Sequence, residues 1–471
     1  MRTPRQSNKI TSRSSRATVL LAAVLASSIS CLDAADLRVG TAAVNINPPN
    51  GIPLAGYYSE RGCQGVVDDL FAKAAVLDDG RTKVAFVVCD LISLPRHTVV
   101  EARRLIQEQT GIPAANAMLS ATHSHTGPEL ARDAASDGDP GTTGRQLSRQ
   151  YTAGLPKLIA QAVAEAHANL APTRASFARE QEHRLAFNRR FFMRDGTVGW
   201  NPGKLNPNTI RPAGPIDPEV GVVYFETPDQ KPQLTCVNFA LHADTTGGVF
   251  VSADYMGALS RCLATYKGPG MLTLFANGTC GNLNHFNVRW AGPQHGTNEA
   301  NRLGAILAAA VFKAYMDLAP VTNTTLAVRS EIVQLPLARV TDEDVRTAEE
   351  TVKRGAQAKF MEQVQAQKVL DVSRRNGQPL EAEVQVISLG NELAWVSLPG
   401  EIFVELGLSI KAASPFRQTH VVELANGDVD YLPHRAAYAE GNYEVVSARC
   451  AEGSGELLVQ SAIRMLAELK P

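Results

Sequence analysis

Charge of one sign is scarce in this sequence. Its 471 residues carry a formal net charge of -1 and are 44% apolar and 20% charged, which excludes a nucleic-acid-coating protein and a disordered chain. No CxxC pair occurs among its cysteines, so a zinc-finger pattern is excluded as well. No Gly/Ser-rich or Pro-rich linker cuts the chain, no internal repeat is visible, and after residue 29 no stretch is apolar enough to cross a membrane. Length alone would suggest two or three domains, but without a linker the expectation is one large domain over residues 36–471.

What is present begins with a targeting pattern. Arg2, Arg5, Lys9, Arg13 and Arg16 precede an apolar run over residues 17–29, no acidic residue appears before Asp33, and Ala34 and Ala35 offer small residues for cleavage. The run is too short for a permanent membrane helix. Residues 1–35 therefore read as a signal peptide, with export to a periplasm or secretion as the expected localisation. Cys31 raises a lipoprotein, but Ser28-Ile29-Ser30 before it lacks the usual leucine. Six cysteines follow, at Cys63, Cys89, Cys236, Cys262, Cys280 and Cys450. An oxidising compartment permits disulfides among them, and the sequence selects no pairing. Cys89 and Cys236 lie in apolar runs and read as small buried hydrophobes.

Strand-like and helical patterns alternate along the mature chain. Apolar runs at 84–89, 117–121, 220–225, 233–241, 271–275, 382–389 and 393–398 read as strands. Amphipathic segments at 99–109, 150–168, 255–265, 299–315, 403–412 and 455–469 read as helices, and the rhythm indicates an α/β fold. The polar stretch 341–376 reads as one long or broken solvated helix.

Polar clusters stand where several strands end. In Ser120-Ala121-Thr122-His123-Ser124-His125-Thr126-Gly127-Pro128, residues two apart on a continuing strand would turn His123 and His125 to one face. Zinc accepts neutral imidazole nitrogen and tolerates varied geometry, so the pair can serve one ion; solvated loop histidines are the plain alternative. His242 closes another apolar run, Glu401 follows Ser397-Leu398-Pro399-Gly400, and Tyr431 ends Asn426-Gly427-Asp428-Val429-Asp430. Each has an ordinary explanation: an edge-of-core histidine, an acid favoured at a helix start, a polar turn. Their joint occurrence argues for a site at strand ends.

Together these segments resemble the neutral (non-lysosomal) ceramidase family. Matches run from Val39-Gly40-Thr41-Ala42 through Gly56-Tyr57 and Val76-Leu77-Asp78-Asp79-Gly80 to the C-terminal tyrosines, and the Thr-His-Ser-His-Thr-Gly-Pro motif is more specific than a bare His-x-His. The resemblance implies one zinc ion held by His123, His125, His242, Glu401 and Tyr431. It also implies Tyr443 near the reacting carbonyl and, from the pair Asn188-Arg189, an active-site Arg189. The implied fold is a single large α/β domain of mixed sheets flanked by helices.

Two departures qualify the substrate. The family's Gly-Asn-Leu-Ser-Pro-Asn segment reads Gly281-Asn282-Leu283-Asn284-His285-Phe286-Asn287 here, so Asn284 replaces a serine and acylation at that position is excluded. The chain also stops at Pro471, where full-length ceramidases carry an immunoglobulin-like domain. The expected chemistry is zinc-assisted acyl hydrolysis, with Tyr431, Tyr443, Arg189 and Asn284 as donors near the reacting group. His285 and Cys280 are expected to support the loop rather than react. Three classes stay open: a ceramidase-like amidase on a lipid acyl amide, met at a membrane surface; a zinc esterase or amidase for another acylated molecule; and a non-catalytic metal-binding protein.

Overall fold

Three sheets with one shared topology build the fold. The computed structural model describes residues 37–132 and 142–470, so the expected signal segment lies outside the described residues. In the first sheet Arg38–Asn45, Phe71–Asp78 and Lys83–Cys89 form an antiparallel meander, and helix Arg96–Thr110 then carries the chain to Ala117–Ala121, parallel to Lys83–Cys89. The second sheet repeats this. Arg174–Gln181, Glu219–Glu226 and Pro232–Phe239 meander, helix Asp254–Lys267 crosses over, and Leu272–Asn277 pairs in parallel with Pro232–Phe239. The third follows suit with Leu326–Leu335, Leu380–Leu389 and Leu393–Ser397, helix Val404–Ala413, and Gln418–Val422 parallel to Leu393–Ser397. After each parallel strand comes a further helix, Thr143–Ala168, Thr297–Ala314 or Ser454–Leu469.

The sequence shows no repeat, yet the structure contains a threefold repeat of topology. Strand order and crossover can recur while side chains diverge, because each unit needs only an apolar strand run and an amphipathic helix.

The core follows from strand alternation. Ala75 and Leu77 of the first sheet, Val223 and Phe225 of the second, and Ile387 and Leu389 of the third share one central cluster. Their strand neighbours Ala74 and Val76, Val220 and Val222, and Val384 and Val386 face outward, each pair into a separate cluster. Each outer cluster includes residues of its unit's two helices, such as Val99 and Ile159, Leu259 and Leu307, and Ile410 and Leu466. Three sheets thus meet back to back, and helices cover them outside. The described residues fall in one compact unit.

Local departures from the sequence patterns have physical reasons. Phe71–Asp78 is a central strand although its Ala-rich sequence has weak strand propensity; burial on both faces overrides propensity. The buried Lys73 in it is matched by Asp90 at 3.2 Å. Leu326–Leu335 is a polar edge strand with little apolar signal. The 341–376 stretch is two helices, Asp342–Arg354 and Phe360–Arg374, the first opened by a Thr341–Asp344 capping box. All six described cysteines are free.

Candidate metal centre

The site lies beyond the carboxyl ends of the parallel strands in the three main sheets. Crevices outside the carboxyl ends of parallel strands are where α/β sheets bind ligands. The first unit supplies His123 and His125 after Ala117–Ala121, the second His242 after Pro232–Phe239, and the third Glu401 after Leu393–Ser397.

The two nearby histidines do not share a strand face. The strand stops at Ala121, and His123 has φ 70°, a left-handed turn that redirects the chain. The rings of His123 and His125 end up perpendicular, 4.8 Å apart between centres. Convergence comes from a loop, and the strained backbone is of the kind that gathers at functional sites. Asn426 (φ 64°) and Asp430 (φ 66°) carry the same signature in the third unit. Gly56 permits the close approach of His125, since a Cβ there would meet the imidazole at 2.6 Å.

Hydrogen bonds orient all three imidazoles. Nδ1 of His123 lies 3.0 Å from the Ile92 carbonyl oxygen, Nδ1 of His125 3.1 Å from that of Gly56, and Nδ1 of His242 3.2 Å from that of Cys280. A carbonyl oxygen only accepts, so each Nδ1 is the donor and each neutral ring turns a lone pair on Nε2 towards the others. His123 Nε2 is 2.9 Å from His242 Nε2 and 3.3 Å from His125 Nε2. Glu401 Oε2 lies 3.4 Å from the first and 3.5 Å from the second, buried and without a hydrogen-bond partner. Three lone pairs and a carboxylate oxygen cannot satisfy one another without a shared positive charge, a proton or a metal ion. The three histidines can hold a metal ion.

Proton affinities express the same demand for a single positive charge. Burial pulls His125 down to about 4 and His242 well below the usual imidazole range, with His123 adding to both. At His123 burial also opposes charge, but the Glu401 carboxylate outweighs it and raises the ring to about 9. Glu401 stays below the ordinary carboxyl value despite burial, held by His123 and a hydrogen bond from Tyr431.

Arg189 lies against the cluster, with Nη1 3.3 Å from His242 Nε2. Its other nitrogens donate to Glu444 Oε1 at 2.9 Å, the Gly281 carbonyl at 2.7 Å and the Tyr431 hydroxyl at 3.0 Å. Tyr431 therefore accepts from Arg189 and donates its own hydroxyl hydrogen bond to Glu401. Burial works against the Arg189 charge, but Tyr431, Glu444 and Glu401 keep it. Tyr443 bonds Tyr58 through the hydroxyls and stacks on Trp200 at 4.4 Å. Tyr58, His125, Glu401, Tyr431 and Tyr443 line a cavity of about 1300 Å³.

Three further residues of the 280–287 loop are held by partners of their own. Asn284 is buried, with its amide nitrogen donating to Asn201 at 2.9 Å and its oxygen accepting from the Phe286 backbone. His285 spends both ring nitrogens, on Asp244 at 3.0 Å and the Gln294 carbonyl at 2.7 Å. Burial and Glu423 hold the Cys280 thiol protonated. Glu444 and Glu423, by contrast, escaped the sequence. Glu444 stands next to Tyr443 but pairs with Arg189 and Arg190, over 250 residues away; nothing local signals that.

This set of three covered sheets with a histidine centre at their strand ends is a neutral-ceramidase-like fold. The chain is similar to the crystal structure of neutral ceramidase from Pseudomonas aeruginosa, with a TM-score of 0.71 and 18% identity over 93% of this chain and 75% of that one. A structure described as ceramidase complexed with C2 is similar at a TM-score of 0.70 and 17% identity, covering 92% of this chain and 75% of that one. No protein-family model and no curated protein matches the sequence.

Proposed function

We propose that the protein is a zinc-dependent hydrolase that cleaves an N-acyl amide, with a ceramide-like lipid as the substrate class. The carrying observation is the convergence of three Nε2 lone pairs and Glu401 Oε2. Ligands at 2.0–2.1 Å around a tetrahedral zinc stand about 3.3 Å apart, and the four separations of 2.9, 3.3, 3.4 and 3.5 Å scatter around that value. Imidazole and carboxylate donors suit zinc. When bound, zinc polarises a carbonyl and lowers the pKa of water towards about 7.

The protein's own groups supply the rest. His123, His125, His242 and Glu401 would hold the ion, and Tyr431, the fifth expected ligand, stands beside them bonded to Glu401 and Arg189. Arg189 presents a buried, permanently charged fork beside His242, suited to an acyl oxygen that gains negative charge. Tyr443, in the cavity wall, can donate to the same oxygen. Glu401 is the carboxylate within reach of a proton moving from water to the leaving amine. No serine is needed, which accords with Asn284 being committed elsewhere.

A second substrate reading has its own support. Away from the centre the cavity wall carries charges of both signs, among them Arg96, Arg132 and Arg449 with Glu381 and Asp430, an unusual lining for a purely apolar tail. An acylated molecule with a polar portion would suit it better. Export of the chain is proposed on the charged-then-apolar pattern of residues 1–29.

The test is direct. Purified protein is assayed for metal content, then offered short-chain ceramide, N-acyl amino acids and acyl esters, before and after chelation and zinc return. Turnover of an amide that is lost on chelation and restored by zinc supports the proposal. Absence of bound metal, or turnover indifferent to chelation, would overturn it.

A further inference from the structure

The carboxylate of Glu423 lies behind the histidine cluster and touches two of the three units. It is fully buried at the end of Gln418–Val422. Oε2 accepts from the backbone nitrogens of Cys280 at 3.0 Å and Ile402 at 2.9 Å, while Oε1 accepts from the Cys280 thiol at 2.8 Å. Its own backbone nitrogen donates to the Asn277 carbonyl at 3.0 Å. These partners are not arbitrary. The Cys280 carbonyl fixes the orientation of His242, and Ile402 follows Glu401 directly in the chain.

The two segments also meet directly, and the Val404 N–H donates to the Asn282 side-chain oxygen at 2.9 Å. Gly281 donates its N–H to the Ile402 carbonyl at 2.8 Å, and a Cβ on Gly281 would meet the Glu401 carbonyl oxygen at 2.5 Å. The two loops are thus in backbone contact, and Glu423 caps the N–H groups that this contact leaves over. One carboxylate therefore bridges the loop that aims His242 and the loop that carries Glu401, at the point where the two are in contact.

We propose that Glu423 is a positioning residue for the metal centre: by clamping Cys280 and Ile402 it sets the distance between His242 and Glu401, and it does so by geometry rather than by charge. The inference rests on the metal reading above. Partners that orient ligands without touching the ion typically change metal affinity by about 10–100-fold.

The experiment titrates cobalt(II) into metal-stripped full-length protein and records both affinity and the visible absorption spectrum. Glu423→Gln retains a carbonyl oxygen for the two N–H groups and turns its amide to the sulfur, so it should keep the wild-type spectrum and bind within a few-fold. Glu423→Asp retains the charge but is one methylene too short to span both N–H groups, so it should bind about 10–100-fold more weakly with an altered spectrum. Thermal unfolding of the metal-free variants separates a general loss of stability from a change at the centre. The proposal is overturned if Asp matches wild type, or if Gln is the weaker variant, which would make charge the operative property. Should wild-type protein itself fail to take up cobalt, the metal reading falls instead.

Discussion

The Nε2 atoms of His123 and His242, residues 119 apart in sequence, stand 2.9 Å apart with a backbone carbonyl fixing the far side of each ring. Two neutral imidazoles cannot hydrogen bond in that arrangement, since both offer lone pairs. The pair is stable only around a shared positive charge.

Removal of either ring should therefore remove the metal. His123→Ala and His242→Ala are each expected to lose more affinity than the roughly 100-fold upper range seen for groups that only orient a ligand. Metal analysis after dialysis, with folding followed by circular dichroism, measures this. Full zinc occupancy in either variant would contradict the assigned ligands.

Arg189 should matter for turnover more than for substrate binding. Loss of one well-placed donor to a developing oxyanion costs about 3–4 kcal/mol, or roughly 100- to 1000-fold in kcat. Arg189→Lys should be nearly as poor as Arg189→Ala, because lysine cannot reach His242, Tyr431, Gly281 and Glu444 together. Steady-state kinetics should show kcat falling with KM little changed.

Glu444 should be a stability residue. It is fully buried between Arg189 and Arg190, at 2.9 and 2.8 Å. Its replacement by alanine strands two buried guanidinium groups, although Arg190 keeps Glu440 at 3.0 Å. A loss of about 3–5 kcal/mol is expected in urea unfolding. A loss under about 1 kcal/mol would show that the remaining contacts suffice.

His420 should make the fold acid-sensitive. It is buried beside Trp395, and burial, reinforced by Lys411, lowers its pKa to about 3 in the folded protein. An unfolded histidine titrates near about 6.5, so between those values the unfolded chain binds the extra proton. Stability from this residue is full above pH about 6.5 and declines as pH falls towards 3. His420→Gln should flatten the decline, as read from denaturation midpoints between pH 4 and 7, roughly the window those two pKa values define.

Much of this architecture could be read from the sequence, and the exceptions are instructive. Strands such as Ala117–Ala121 and helices such as Ser454–Leu469 carry their period in their own residues. Phe71–Asp78 does not, because neighbouring strands make it central. The candidate ligands His123, His125, His242 and Glu401 stood out as polar residues following apolar runs. Their meeting point did not, because His123 turns at a left-handed φ that only the folded loop imposes. Glu444 and Glu423 were hidden for a related reason: Glu444 acts on Arg189 and Arg190, and Glu423 on Cys280, residues of another unit more than 100 positions away.

The threefold topology also gives the centre a schedule. A chain made from its amino terminus acquires His123 and His125 with the first unit and His242 with the second, so all three imidazoles exist before the third sheet does. Glu401, Glu423 and Tyr431 arrive only with that last sheet. An unfinished chain can thus gather three imidazoles without the carboxylate, the clamp or Tyr431, and under the proposed function tight metal binding becomes a signal that all three units have come together.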